Sequence, residues 1–137
     1  MIRSYQDSDY DQLKVLYSHQ EWYGGVFDES RDGRTRLAIM IASDPLAILV
    51  YEEKGSIKGT ISIIEDGRVA MLYRFVVPPE EEVVARDLYR RAVDTLKARG
   101  HQQILVYSSI ASQALDERYK RLGMTRGGDY ACFWADI

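Results

Sequence analysis

The stretch that decides the fold is Val69-Ala-Met-Leu-Tyr-Arg-Phe-Val-Val77, followed by Pro78-Pro79 and Glu80-Glu81-Glu82. Its β-branched, aromatic and aliphatic side chains predict a strand apolar on both faces, as in a strand covered from both sides. Pro78-Pro79 stops it, because proline has no N–H to give to a ladder. A helical pattern then runs to Gly100, with Val84, Ala85, Leu88, Tyr89, Ala92, Val93 and Leu96 on one face. Acids crowd its first turn and Lys97 and Arg99 its last, which matches the helix dipole. Gly100 is the natural C-terminal stop. A strand that breaks at a proline and feeds a helix presents unpaired amides at the helix start, where a phosphate-bearing ligand can bind.

Working outward, Ile2 to Tyr5 predicts a short first strand. Ser8 followed by Asp11 fits a capping box, after which Tyr10, Leu13, Leu16 and Tyr17 share a helical face. That helix ends before Gly24-Gly25. A second helix is expected over Arg34 to Ser43, with Leu37, Ala38 and Ile41 inward and Asp44-Pro45 ending it. Strands follow at Ala47 to Glu52 and Ser56 to Ile64, joined by a Lys54-Gly55 turn. Asp66-Gly67 is a hairpin signal that returns Val69 to Val77 antiparallel. After the long helix, Gln103 to Tyr107 predicts a strand and Ser112 to Leu122 a helix stopped by Gly123. Met124 to Arg126 predicts a short strand, and Gly127-Gly128 turns into a last one, Tyr130 to Asp136. Tyr130, Cys132 and Trp134 alternate there with Ala131, Phe133 and Ala135, so burial on both faces is expected. A helix between two strands demands a parallel pairing, while hairpins are antiparallel. The expected architecture is α/β (α+β): one domain over 1–137, with a mixed, mostly antiparallel sheet of six or seven strands and helices on both faces.

With 137 residues, the chain is long enough for one real core and too short for two. A net charge of −3 and the lack of a basic stripe disfavour nucleic acid as a partner. No apolar run is long enough to span a bilayer, so no membrane partner is expected. The charged start, Met1-Ile-Arg-Ser-Tyr-Gln-Asp, lacks the apolar core of a signal peptide. The single cysteine, Cys132, allows no internal disulfide and fits a reducing, cytoplasmic setting. Inside an apolar strand its thiol is expected to be inert. His101, after a helix-ending glycine, reads as a solvated turn residue. No Cys/His cluster has metal-ligand spacing, so no metal is assigned.

The element order, the Val76-Val77-Pro78 strand end and the phrase Ile48-Leu-Val-Tyr-Glu-Glu-Lys-Gly-Ser-Ile-Lys-Gly59 together resemble the GNAT superfamily of N-acetyltransferases. So does Ser112 with Tyr119 and Gly123-Met124, similar to that family's Asn-x-x-Ala-x-x-Phe-Tyr-x-x-x-Gly-Phe phrase. The resemblance implies an acetyl-CoA-dependent N-acetyltransferase acting on a primary amine of a small molecule or protein. It places the cofactor, acetyl-CoA as acyl donor, along Phe75, Val76 and Val77, with amides there polarising the acetyl carbonyl. Val83, Val84, Ala85 and Arg86 fall at its pyrophosphate loop, and Ser112 near the thiol end. That loop reads Gln/Arg-x-x-Gly-x-Gly/Ala in the family and Glu80-x-x-Val83-x-Ala85 here, where only Ala85 fits.

Acetyl transfer needs a polarised carbonyl, a neutral amine, close approach and a proton for the departing thiolate. The resemblance puts Tyr119 at the general-acid position; the other reading of Tyr119 is a helix tyrosine packed in the core. Trp22, Tyr23 and Tyr73 fall at the acceptor side, where the aromatics around Gly24-Gly25 either line a lid or pack a loop onto the sheet. Tyr73, Glu21 and His19 are candidate bases. The acidic stretch at 80–82 leaves a second reading, a GNAT-fold binding or regulatory module with altered cofactor use, or else another acyl donor. The last strand can also serve as an intermolecular sheet edge, giving a homodimer.

Overall fold

The run quoted first forms a strand over Ala70–Val76, and the helix after it spans Glu82–Ala98. These belong to a computed structural model that describes all residues, Met1–Ile137. In chain order the elements are β1 (Ile2–Ser4), α1 (Tyr10–Tyr17), α2 (Glu29–Asp32), α3 (Arg34–Ser43), β2 (Ile48–Glu53), β3 (Ser56–Glu65), β4 (Ala70–Val76), α4 (Glu82–Ala98) and α5 (Gln113–Arg121). The sheet is antiparallel throughout, in the order β1-β2-β3-β4. Lys54 and Gly55 both take positive φ, 51° and 81°, the geometry of a tight primed turn between β2 and β3. No helix is long and apolar enough to cross a membrane.

The sheet separates two apolar layers. Leu13, Leu16 and Tyr17 of α1 and Leu37 of α3 pack on one face against Ile48, Val50 and Val76. Leu88, Ala92 and Leu96 of α4 pack on the other against Leu49, Ile61, Leu72, Phe75 and Val77. Strand alternation sends neighbours such as Leu49 and Val50 to opposite layers. In β4 the alternation is broken on purpose. Ser62 pairs with Tyr73 but Thr60 pairs with Val76, so β4 carries one extra residue in a bulge. Arg74 sits in it with φ 44°. The bulge lets Leu72 and Phe75, three apart, face the same layer.

Several expectations are corrected. The sheet has four strands, not six or seven. Gln103 to Tyr107 meets β4 at one parallel bridge, Met71 with Leu105, and forms no longer ladder. Met124 to Arg126 and Tyr130 to Asp136 are not strands, and Phe133 and Trp134 stand in solvent, 92% and 81% exposed. Both-face apolarity reports that a segment wants neighbours, not which surface supplies them. Cys132 is consequently exposed rather than enclosed. His101 is the reverse: its side chain is 5% exposed, with Nε2 2.7 Å from a Glu65 oxygen. Ala38 faces solvent while Leu37 is buried and Ile41 half-buried. Ser8 does not cap α1: it lies in a single 3-10 turn, Asp7–Asp9, where the Asp9 carboxylate accepts the Gln6 N–H at 2.9 Å and both Arg3 terminal nitrogens at 2.7 and 2.8 Å. Those bonds hold the Asp9 carboxyl below its ordinary pKa, led by the Arg3 contact.

Gly59 in β3 lies directly beneath the first turns of α4, against Val84 and Leu88. A Cβ there would lie 2.9 Å from Val77 Cγ2 and 3.0 Å from Val84 Cγ1. Gly59→Ala is therefore expected to destabilise the fold by about 1–3 kcal/mol through overpacking. Urea denaturation checks this, and an unchanged midpoint would show that α4 is not held so close.

Candidate functional site

The site begins where β4 loses its neighbour. Leu72 N–H donates to Leu105 O, and Leu105 N–H to Ala70 O, each at 2.9 Å. Beyond that bridge the two segments part. The amides of Val106, Tyr107 and Ser108 find no protein acceptor, and neither does Val77 N–H. Alternation explains the direction of the free groups. Leu72 points its N–H toward Leu105 and Tyr73 pairs toward β3, and the bulge then turns Val76 toward β3 and Val77 toward the open edge. The Ser108 hydroxyl is buried beside this parting without a partner, which is costly unless a ligand supplies one.

The start of α4 is open too. Glu82, Val83 and Val84 N–H donate to no protein acceptor, and Glu81 at the N-cap makes no side-chain cap. The acids do not fold back over these amides. Glu82 instead turns to Arg121, whose Nη2 lies 2.8 Å from its Oε1. Val83 is 53% exposed, whereas Val84 and Ala85 are buried beneath the helix. The Arg86 guanidinium is exposed and bonds Asp87 at 3.2 Å. With Arg90 and Arg121 it lines a shallow groove between α4 and α5.

Helix α5 closes the side of the split. Ser112 caps it, accepting the Leu115 N–H at 3.3 Å, so its hydroxyl serves the helix. Tyr119 lies against Phe75, ring centroids 6.4 Å apart, within the α4 layer. Burial pushes its phenol up to about 12. Arg118, which the sequence pattern does not single out, is 6% exposed. Its Nη1 donates to Val77 O at 2.7 Å and its Nη2 to Pro78 O at 2.9 Å. A buried guanidinium thus ties α5 to the end of β4, and burial lowers its pKa. An arginine in a strongly charged helix reads as solvent-facing, so no sequence signal marks it.

On the opposite side, the bulge is locked. Arg74 Nε and Nη2 each reach an Asp32 carboxylate oxygen at 2.9 Å, with the two side chains 7% and 1% exposed. Arg74 also donates to Val26 O at 3.1 Å and lies 4.7 Å from the Tyr73 ring centre and 5.2 Å from that of Tyr23. A side chain at Gly25 would run into the Arg74 guanidinium and the Tyr23 ring. Tyr23 is buried and donates its hydroxyl to Tyr17 O. Trp22 stacks on His19 with centroids 3.7 Å apart and packs against the α1 layer. Glu21 remains exposed beside His19, at 3.3 Å. Tyr23, Trp22 and Phe27 pack against the α1 layer, and the structure brings Tyr73 and Tyr23 together around Arg74.

No family model and no curated protein matches the sequence. Solved structures do match its fold. An N-acetyltransferase from Staphylococcus aureus Mu50 superposes with TM-score 0.76 at 16% identity, over 93% of this chain and 84% of that one. A protein from Clostridium acetobutylicum, described as a predicted acetyltransferase with acetyl-CoA, gives 0.72 at 18%, over 97% and 94%. The aminoglycoside 6'-N-acetyltransferase AAC(6')-IG from Acinetobacter haemolyticus gives 0.74 at 15%, over 100% and 99%. The chain has the GNAT fold; identities this low establish fold and not activity.

Two predictions follow from this geometry. Arg74→Ala leaves the Asp32 carboxylate buried and unpaired, and is expected to cost about 3–5 kcal/mol. The double variant with Asp32→Ala should lose less than the sum of the single changes; additive losses in urea denaturation would show that the pair is not coupled. Tyr119 stays protonated up to about 12 in the fold, against an ordinary value of 10.0. Between these values the unfolded chain releases a proton that the folded one keeps, so this contribution is complete below the lower value and declines as pH rises. Tyr119→Phe should flatten that alkaline decline in Tm, and an identical slope would contradict it.

Proposed function

We propose that the protein is an acetyl-CoA-dependent N-acetyltransferase that moves an acetyl group to a primary amine of a small molecule or protein. The observation that carries this reading is the free Val77 N–H at a strand end that parts from its neighbour. A strand edge open on one side pairs with an extended amide-bearing chain as it would with another strand. The pantetheine arm is such a chain, and the unpaired Ser108 hydroxyl and the open amides of Glu82, Val83 and Val84 suit a polar, phosphate-bearing ligand on the same side.

When bound, acetyl-CoA supplies an activated acyl carbon. The protein's own residues would do the rest. Val77 N–H would donate to the acetyl oxygen as negative charge builds on it. Arg118 would fix that donor by holding Val77 O and Pro78 O. Tyr119 would give its hydroxyl proton to the departing sulfur. Burial has raised the phenol to about 12, and the same dry surroundings raise a thiolate expelled beside it, which keeps the transfer matched. The amine proton would pass to water or to one of the candidate bases, Tyr73, Glu21 or His19. A net charge of −3 favours a cationic acceptor.

The acidic residues 80–82 favour the second reading, a binding or regulatory module. Their weight is reduced by the Arg121 contact to Glu82 and by Arg86 and Arg90 alongside. Calorimetry with acetyl-CoA decides between the two. The enzyme reading expects saturable binding; a folded sample that gives no heat at high micromolar acetyl-CoA supports the module. Tyr119→Phe should lower kcat by about a hundredfold in thiol release with a panel of primary amines, with KM for acetyl-CoA nearly unchanged. An unaltered kcat would remove Tyr119 from the chemistry.

A further inference from the structure

Arg74 holds a backbone conformation that its own side chain opposes. Its φ is 44°, in the left-handed region that residues with a Cβ avoid. Lys54, at φ 51°, sits in a two-residue turn that calls for such an angle. Arg74 lies in the body of β4, where no turn calls for it, so the bulge must be held from elsewhere.

The holder is on another element. Arg74 Nε donates to Asp32 Oδ1 and Nη2 to Asp32 Oδ2, each at 2.9 Å, and Nη2 also reaches Val26 O at 3.1 Å. Asp32 is itself fixed. Its Oδ2 accepts the Asp28 N–H at 2.9 Å, and Asp28 caps α2 by accepting the Ser30 N–H at 2.9 Å. Gly33 N–H donates to Glu29 O at 3.1 Å and Leu37 N–H to Gly33 O at 3.0 Å, which joins α2 to α3 and its buried Leu37. Both oxygens of the Asp32 carboxylate are engaged, and at 1% exposure no substrate can touch it. Asp32 is the rigid partner, and Arg74 the strained one.

What Arg74 controls lies three residues on. Strict alternation from Leu72 would turn the Val76 N–H to the open edge and the Val77 N–H into β3. The bulge reverses both, since Ile61 stands opposite two residues, Arg74 and Phe75. Phe75 and Val77 pack in the α4 layer and keep the register, so weakening the clamp frees the Arg74 peptide without sliding the strand. On the far side of the Val77 N–H, Arg118 holds the Val77 carbonyl. Two buried guanidinium groups thus bracket the donor, and only Arg74 is held in an ion pair.

We infer that Asp32 is a positioning residue of acetyl transfer: fixed at the end of α2, it clamps Arg74 in the left-handed conformation and so aims the Val77 N–H at the acetyl oxygen. This role rests on the reading of Val77 as the donor to that oxygen. The same guanidinium holds Val26 O, so the segment on the acceptor side and the donor on the acyl side are tied by one group.

Thiol-release kinetics with primary amines, together with amide exchange at Val76, test this on the full chain and three full-length variants. Asp32→Asn keeps the side-chain shape and removes the charge. It should lower kcat by about tenfold to a hundredfold, leave KM for acetyl-CoA within about twofold, and speed exchange at Val76. Glycine enters φ 44° without a clamp, so Arg74→Gly in the Asp32→Asn background should bring kcat to within about threefold of wild type and restore slow exchange. Arg74→Ala in that background should recover neither. Should Asp32→Asn alone fail to fold, the two double variants decide, and glycine must exceed alanine by about tenfold in kcat. Equal glycine and alanine variants, or an unchanged kcat in Asp32→Asn, would overturn the positioning role and leave the transferase reading standing. A wild type that transfers no acetyl group would overturn that reading and the role with it.

Discussion

Everything at the candidate site depends on β4 being released from its neighbour after a single bridge. Leu105 holds Ala70 and Leu72, and from there the two segments diverge. The release is built into β4 itself. One extra residue, Arg74 at φ 44°, bends the strand and resets which groups face the open edge. That conformation is unfavourable for a non-glycine residue. It persists because Arg74 is clamped by two bonds to a fully buried Asp32. Without the bulge, Val77 would present its N–H elsewhere and the edge would have no free donor at the strand end.

The pyrophosphate question turns on geometry more than charge. Each carboxylate about 8 Å from a phosphate oxygen costs roughly 0.5 kcal/mol in water before salt screening. A carboxylate capping the helix-start amides would have removed the site altogether. None does so, and Glu82 is drawn off by Arg121. The valine at position 83 projects outward, half exposed, so the apolar bulk at the loop lies in Val84 and Ala85, inside the core.

Local rules carried most of the fold. Arg34–Ser43 was legible from its apolar positions and the Asp44-Pro45 stop, and the termini of α4 from Pro78-Pro79 before it, charges that match the dipole, and Gly100 after it. The Lys54-Gly55 and Asp66-Gly67 turns were legible because backbone conformation is written in residue type. The Asp32–Arg74 pair and Arg118 were not, since each joins positions about 40 residues apart and nothing in the spacing marks a long-range partner. The missing strands at 103–107 and 130–136 have the same cause. Their composition asks for neighbours on both faces, and a single sequence does not say whether those come from the same chain.

The Val77 amide is an unpaired donor at the end of β4. Amide hydrogen exchange read residue by residue tests it directly, with and without coenzyme A. Fast exchange is expected at Val77 and at Glu82–Val84 in the free protein, and slowing at both once coenzyme A is saturating. Protection at Val77 matching that of Leu72 in the free protein would mean that the strands do not part. Unchanged exchange with bound coenzyme A would mean that the split is not where the ligand lies.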